Sequence, residues 1–214
     1  MIFHLAPARP GRPTVLALHG RGADEHQLLP LLRAADRSCG VLAPRGEVPC
    51  PPGWSWCRRH AVGMPVPCDL RRRTAALGRW LDGALGALGI RPPLAVVGYS
   101  NGAMLALALA ATRRELVGPI ALLRGAYPLA CPPDAADLRG TRILASAGAA
   151  DELLAPGVFT AGVELLRRRG AAVEARVYSG LGHGLGLADA RELRAWLGVA
   201  EPTQVAPATA ACHA

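Results

Sequence analysis

The chain has 214 residues, is 51% hydrophobic and carries a formal net charge of +8. This length supports one domain with a sizeable core, and the apolar content excludes disorder across the whole chain. The positive charge comes from scattered arginines without any lysine, and aromatic residues make up only 4% of the chain. Binding of single-stranded nucleic acid uses stacking side chains and a clustered basic surface, so we expect no nucleic-acid partner.

The cysteines and the first residues bear on the cellular compartment. No two of the six cysteines have the two-residue spacing of a zinc or redox site, so we expect no metal site. The first residues lack the basic segment and the apolar stretch of a signal peptide, and no apolar run reaches the roughly 18 residues of a membrane span. We therefore expect a cytoplasmic protein with free thiols and no membrane span.

Apolar runs and helical periodicities alternate along the chain. The predicted strands lie at residues 2–6, 14–18, 40–43, 94–97, 119–123, 141–146 and 173–178. The predicted helices lie at residues 25–37, 69–88, 103–112, 157–169 and 188–197. This alternation predicts an α/β fold, a single domain over residues 1–200 with helices on both faces of a mostly parallel sheet of about seven strands. We expect the first strand at an edge of that sheet.

Short polar residues mark the expected starts of two helices. Asp24, with Gln27 three residues later, has the pattern of a capping box before the first helix, while Pro30 would bend that helix or delay its start. Asp69 is the expected cap of the second helix, and Gly89 the residue that ends it.

Two stretches lack regular patterns. Residues 44–68 are rich in proline and cysteine, and a long irregular segment that follows a strand usually carries function. Trp54 and Trp56 in this loop are candidates for a substrate wall, and packing of the loop onto the body is an equal alternative. Residues 201–214 are rich in alanine, proline and threonine, which predicts a disordered tail.

A Gly-x-Ser-x-Gly turn stands between one predicted strand and the helix after it. Ser100 lies at its centre, with Gly98 and Gly102 on either side. A strand, a tight turn with a central serine and a helix together form a nucleophile elbow, in which the glycines leave room for the strained serine. The positive N-terminal end of the helix favours negative charge at the serine hydroxyl.

Two further residues complete a catalytic triad in the order expected for such sheets. A serine hydroxyl needs a base, and the base needs an orienting carboxylate. Asp151 and His183 follow Ser100 along the chain, each at the carboxyl end of a predicted strand. Glu152 is the alternative carboxylate, and His60 in the long loop is the alternative base.

The tetrahedral intermediate of such a reaction also needs two donors for its oxyanion. One is the backbone N–H of Asn101, the residue after the nucleophile. The other comes from the His19-Gly20-Arg21-Gly22 loop, where the backbone N–H of Arg21 is the best candidate. The Arg21 side chain could then reach solvent or an acidic part of a substrate, and we expect His19 to hold the loop by hydrogen bonds.

Several blocks of the chain together resemble the phospholipase/carboxylesterase group of the α/β-hydrolase superfamily, which includes small bacterial carboxylesterases and acyl-protein thioesterases. The blocks are LALHGRGADEHQLLPLL, VLAPRGEV, VVGYSNGAMLA, LLRGAYPL, AGAADELLAP and GLGHGL. The resemblance covers most of residues 14–198. It implies a single-domain α/β-hydrolase without a large cap domain and a hydrolase that needs no cofactor.

The same resemblance implies a function. Ser100 would be the nucleophile, His183 the base and Asp151 its orienting acid, with Arg21 and Asn101 lending backbone donors. The expected substrates are small carboxylic esters, which the enzyme would cleave through an acyl-enzyme intermediate. A thioesterase or lysophospholipase would use the same triad, and a non-catalytic binding protein of the same fold is the alternative of another class. Several relatives form dimers, so the resemblance leaves a homodimer as an alternative to a monomer.

Overall fold

A computed structural model of the chain describes residues 1–60, 64–125 and 137–198. The strands within these ranges are β1 (Phe3–Ala6), β2 (Thr14–Leu18), β3 (Gly40–Pro44), β4 (Val48–Cys50), β5 (Gly53–Ser55), β6 (Leu94–Tyr99), β7 (Val117–Leu123), β8 (Arg142–Gly148) and β9 (Ala172–Tyr178). The α-helices are α1 (Leu29–Ala35), α2 (Pro67–Ala87), α3 (Asn101–Thr112), α4 (Pro156–Arg168) and α5 (Leu187–Gly198). The Pro-rich connection at 127–136 and the predicted tail at 201–214 lie outside the described residues.

Within the described ranges, seven strands form one sheet in the order β1-β3-β2-β6-β7-β8-β9. β1 runs antiparallel to β3 at one edge, and every other neighbouring pair in the sheet is parallel. The central strands consist almost entirely of buried apolar residues, as expected where helices cover both faces. The predicted mostly parallel sheet, with its first strand at an edge, is confirmed.

Two apolar cores lie on opposite faces of the sheet. On one face, α2, α3 and α4 pack against alternate residues such as Leu16 and Val96. On the other face, α1 and α5 pack against the residues between them, such as Val15 and Val97. This arrangement confirms the predicted helices on both faces, and it brings the carboxyl ends of the parallel strands to one edge, where active sites of such folds lie.

The first helix begins later than its polar residues predict. α1 starts at Leu29 with Pro30 in its first turn, because proline fits the start of a helix but not its interior. Asp24 accepts a hydrogen bond from the backbone N–H of His26 in the preceding turn, and the Gln27 side chain accepts one from Gly20 N–H. The predicted start at Glu25 and the predicted capping box were therefore wrong.

The loop at 44–68 contains more regular structure than its composition predicts. β4 and β5 pair there as an antiparallel hairpin, and α2 already begins at Pro67. Asp69 lies inside the first turn of α2, where its carboxylate accepts a hydrogen bond from Arg58 N–H at 2.7 Å. Asp69 is therefore not the cap of this helix, because Pro67 occupies the first position and the chain enters through Val66.

The remaining elements match their predicted ranges to within a few residues at each end, which is where element boundaries are least determined by local pattern. Gly89 follows α2 with a φ of +65°, as a helix-ending glycine requires. The described residues between the strands form single helices, turns and the β4–β5 hairpin, with no separate cap domain among them. No helix in the described part of the chain is long and apolar enough to span a membrane.

Candidate active site

Ser100 occupies a strained turn between β6 and α3. Its φ is +52° and its ψ is −111°, a conformation that side chains rarely adopt and that active sites often retain. The two glycines leave the room that this turn needs. A Cβ atom on Gly102 would lie 2.0 Å from the carbonyl oxygen of Leu18, and one on Gly98 would lie 2.6 Å from that of Gly102. The buried helix α3 then directs its N-terminal end at Ser100.

Ser100, His183 and Asp151 come together in one line of hydrogen bonds. The Ser100 hydroxyl lies 2.9 Å from Nε2 of His183. The other ring nitrogen, Nδ1, lies 2.9 Å and 3.1 Å from the two carboxylate oxygens of Asp151. A proton on Nδ1 that is donated to Asp151 leaves Nε2 as the acceptor of the serine proton, which is the tautomer that a general base needs.

Asp151 is held in place by the backbone that follows it. The residue is buried, and its Oδ1 accepts hydrogen bonds from the N–H groups of Leu153 and Leu154, each at 2.9 Å. The adjacent Glu152 is exposed. Of the two carboxylates that the sequence offers, Asp151 is therefore the one that the fold directs at His183.

A buried ion pair supports the loop that carries His183. Arg124 and Asp189 are both fully buried and bind each other at 2.7 Å and 2.9 Å. The same guanidinium donates to the carbonyl oxygens of Gly182 and Gly184 at 3.4 Å and 3.1 Å, on either side of His183. Asp189 also accepts from Gly186 N–H at 2.8 Å. The pair therefore fixes the loop both before and after the imidazole.

This pair was not predicted from the sequence. Arg124 directly follows the buried end of β7, at the sheet edge where active-site residues gather, and it has a φ of +50°. A charged residue placed there at the end of an apolar run is the signal that could have identified it. Its partner Asp189 is 65 residues further along the chain, with no local pattern that connects the two.

Tyr99 adds a third support for the same loop. Its hydroxyl donates a hydrogen bond of 3.0 Å to the backbone oxygen of His183. Burial raises the pKa of Tyr99 above its ordinary value of 10, so the hydroxyl stays protonated and able to donate across the working pH range.

In the loop after β2, the backbone N–H groups on either side of Arg21 have acceptors within the protein. The N–H of Gly20 donates to the Gln27 side chain, and the N–H of Gly22 donates to the carbonyl oxygen of Trp54 at 2.8 Å. Arg21 lies between them and is exposed. Arg21 is thus the residue between two N–H groups that already have acceptors in the protein.

His19 anchors this loop, as the sequence predicted. Its Nε2 accepts from Gly46 N–H at 2.9 Å, and its carbonyl oxygen accepts from the indole N–H of Trp56 at 2.8 Å. Burial lowers the pKa of His19, which keeps the ring neutral and its Nε2 available as an acceptor.

Asn101, the residue after Ser100, is hydrogen-bonded to the end of the β4–β5 hairpin. Its backbone N–H is at the first position of α3, where no carbonyl of the helix can reach it. Its side-chain oxygen accepts hydrogen bonds from the Ser55 hydroxyl at 3.0 Å and from Trp56 N–H at 2.8 Å. The side chain therefore positions this segment, while the backbone N–H lies at the end of α3 that is next to Ser100.

The two tryptophans of the loop have different environments. Trp56 is only 3% exposed and packs with its ring centre 4.9 Å from that of His19, so it fastens the loop to the body. Trp54 is half-buried, with the guanidinium of Arg45 located 5.5 Å from its ring centre. His60, the alternative base, is exposed and donates its backbone N–H to Met64. Trp56 thus matches the packing alternative.

One trio of possible metal-ligating side chains comes together in the described part of the chain. It consists of Asp24, Glu25 and His26, in the turn before α1. Glu25 is already bound by Arg45 at 2.6 Å, and the other two side chains are exposed or partly exposed. The trio is separate from Ser100, Asp151 and His183, which need no metal for nucleophilic chemistry.

Comparisons with known proteins point to one class of enzyme. The chain matches no protein-family model. It is 30% identical over 183 residues to MhqD of Bacillus subtilis, which is named as a hydrolase, and the match covers 85% of this chain and 90% of that protein. A carboxylesterase from Mesorhizobium loti is 35% identical, with 92% of this chain and 94% of that one covered and a TM-score of 0.84. The Bacillus cereus carboxylesterase is 27% identical, with 92% of each chain covered and a TM-score of 0.84.

Proposed function

Because the chain belongs to the carboxylesterase family of α/β-hydrolases, we propose that it cleaves its substrates through an acyl-enzyme on Ser100. The protein is an ester hydrolase, so the alternative of a non-catalytic binding protein is wrong. The observation that supports this mechanism best is the unbroken contact from the Ser100 hydroxyl through His183 to the buried Asp151. Nucleophile, base and orienting acid are thus within direct hydrogen-bond reach of one another.

The reaction has two halves that use the same imidazole. Ser100 Oγ attacks the ester carbonyl carbon while its proton passes to His183 Nε2, and the imidazolium is stabilised by Asp151. His183 then gives this proton to the oxygen of the leaving alcohol, which departs and leaves the acyl group on Ser100. A water molecule attacks the acyl carbon with His183 again as base. The acid product leaves as the proton returns to Ser100.

The oxyanion of each tetrahedral intermediate would accept hydrogen bonds from the backbone N–H groups of Arg21 and Asn101. The N–H groups on either side of Arg21 already have protein partners, and the Asn101 N–H belongs to the helix end that faces the nucleophile. Loss of one such donor typically lowers turnover by about 100- to 1000-fold.

Hydrolysis of p-nitrophenyl acetate by purified variants tests this mechanism. Ser100→Ala removes the nucleophile, so kcat should fall by up to about a millionfold. The matched control is Ser179→Ala, at an exposed serine, which should keep the wild-type rate. His183→Ala should be as inactive as Ser100→Ala, whereas His60→Ala should stay active. Full activity of Ser100→Ala, or loss of activity only in His60→Ala, would overturn the assignment.

A further inference from the structure

A cavity of about 510 Å³ opens beside the loop after β2 that contains Arg21. Arg21 forms part of its wall, and Ser55, which also lines it, donates a hydrogen bond to the side chain of Asn101, the residue that follows Ser100. The cavity therefore shares Arg21 with the proposed oxyanion donors, and its wall is hydrogen-bonded to the residue next to Ser100. Its volume is in the range of pockets that bind small ligands.

The walls of the cavity are fixed relative to each other by backbone hydrogen bonds. The N–H of Gly22 donates to the carbonyl oxygen of Trp54, and the N–H of Trp54 donates back to that of Ala23, each at 2.8 Å. The buried contact between Ser55 and Asn101 ties the same segment to α3. A ligand would therefore meet a preformed site, which reduces the entropy lost on binding.

The lining of this cavity is strongly basic. Arg21, Arg58, Arg59 and His60 line it, and none of the described lining residues carries a carboxylate. Glu47, which directly precedes the hairpin, instead binds Arg73 of α2 at 2.9 Å. We call the space lined by these four basic residues the cationic cavity.

The basic groups are close enough to affect one another. Although the Arg59 side chain keeps contact with solvent, the wall covers part of it, and this desolvation together with the nearby Arg21 cation lowers the pKa of Arg59. Repulsion between like charges at a preformed site decreases when an anion binds between them. Guanidinium groups bind carboxylate and phosphate oxygens in pairs of hydrogen bonds.

We propose that the cationic cavity binds a carboxylate or phosphate group of the ester substrate, so that the enzyme prefers anionic esters to neutral esters of similar size. This proposal rests on the proposed function, because the bound ester must reach Ser100. A basic cleft also raises the local concentration of anionic substrates, an effect that salt weakens.

Matched ester pairs test the preference. One pair is mono-p-nitrophenyl glutarate and its methyl-capped neutral form, in which the charge is on the acyl side. The other arm uses 4-acetoxybenzoate and 4-acetoxyphenyl phosphate against 4-methoxyphenyl acetate, in which the charge is on the alcohol side and the two anions are distinguished. Each kcat/KM is divided by the rate of alkaline hydrolysis of the same ester. We expect at least one anionic ester to be preferred about tenfold at low salt, with a smaller preference in 0.5 M salt.

Variants of the cavity show whether its arginines cause the preference. Arg59→Gln and Arg21→Gln, which keep the backbone N–H groups, should each lower the anionic-to-neutral ratio about fivefold. Arg59→Glu should instead favour an ester with a trimethylammonium group, a gain that a misfolded protein cannot show. The control is Arg79→Gln, which removes the same charge from an exposed position on α2 and should leave the ratio unchanged.

The outcomes separate this inference from the proposed function. A ratio near one for every pair, in an enzyme whose activity depends on Ser100, would overturn the inference and leave the esterase mechanism standing. An equal fall of the ratio in Arg59→Gln and Arg79→Gln would also overturn it, since net charge alone would then explain the preference. Absence of turnover with every ester, charged or neutral, would contradict the proposed function itself.

Discussion

Two groups of arginines in this molecule occupy contrasting environments. Arg124 is fully buried, bound by the carboxylate of Asp189 and directed at the carbonyl groups around His183. The arginines of the cationic cavity reach solvent in a space whose described lining residues include no carboxylate. Because the chain contains no lysine, the type of basic residue does not distinguish a structural cation from a ligand-binding one. The difference teaches that a buried cation paired with a carboxylate holds neighbouring groups in position. A group of partly exposed cations instead creates a positive potential that attracts an anionic ligand.

Of the substitutions that test this comparison, removal of the buried Arg124 cation should have the largest effect on stability and activity. Arg124→Met leaves the Asp189 carboxylate buried without its partner, so the free energy of unfolding should fall by about 3–5 kcal/mol. The His183 loop also loses the donor to Gly182 and Gly184, and such misplacement of a base can lower kcat about 100-fold. Urea unfolding and ester kinetics on the same preparation measure both effects.

A double variant separates stability from positioning. Arg124→Met with Asp189→Leu replaces the ion pair by apolar side chains, so it should regain most of the lost unfolding free energy. Its kcat should stay low with KM little changed, because the carbonyl groups beside His183 still lack their donor. Recovery of full kcat in the stable double variant would show that the pair does not position the base.

An arginine of intermediate exposure should give an intermediate effect that depends on pH. Arg45 is 24% exposed and hydrogen-bonds to the 5% exposed Glu25, which lowers the pKa of Glu25 from 4.5 to about 2. Because the folded-state pKa is below the unfolded one, the carboxylate stabilises the fold fully above about pH 5, and this contribution is lost as the pH falls towards 2. We expect Glu25→Gln to remove a contribution on the order of 2 kcal/mol at pH 7 and to flatten the acid side of the stability curve.

Urea unfolding at several pH values between 3 and 7 measures that curve. Glu164→Gln, at an exposed carboxylate of α4 that is 60% accessible, is the matched control and should leave the curve as in the wild type. Parallel curves for the wild type and Glu25→Gln would contradict the role of this pair.

Loss of a cavity cation should have the smallest effect on stability. Arg59→Gln alters a partly exposed side chain, so the free energy of unfolding should change by no more than about 0.5 kcal/mol while the preference for anionic esters falls. Differential scanning calorimetry beside the ester assay makes this comparison. A destabilisation as large as that of Arg124→Met would show that the two environments do not differ as described.

The sheet and its helices could be predicted because their signals are local. Buried strands such as β2 and β6 are continuous apolar runs, and glycines that a tight turn requires surround Ser100. The same turn, together with the order of Asp151 and His183 at strand ends, is enough to indicate the candidate site from the residue pattern alone.

What the sequence left undetermined depends on contacts between distant residues. Asp24 and Asp69 have the residue type of helix caps, yet tertiary contacts and nearby prolines decided where α1 and α2 begin. The hairpin of β4 and β5 is short and contains prolines, so its periodicity is too weak to identify. The burial of Arg124 against Asp189 has no periodic signature at all.

Mass spectrometry after reaction with a fluorophosphonate ester tests the central claim most directly. The probe should add one phosphonyl group to the native protein, and digestion should place it on the peptide that contains Ser100. Denatured protein and the His183→Ala variant should remain almost unlabelled, because the hydroxyl is then without its base. A native protein that hydrolyses esters but carries the adduct on another residue, or takes up none, would contradict the account.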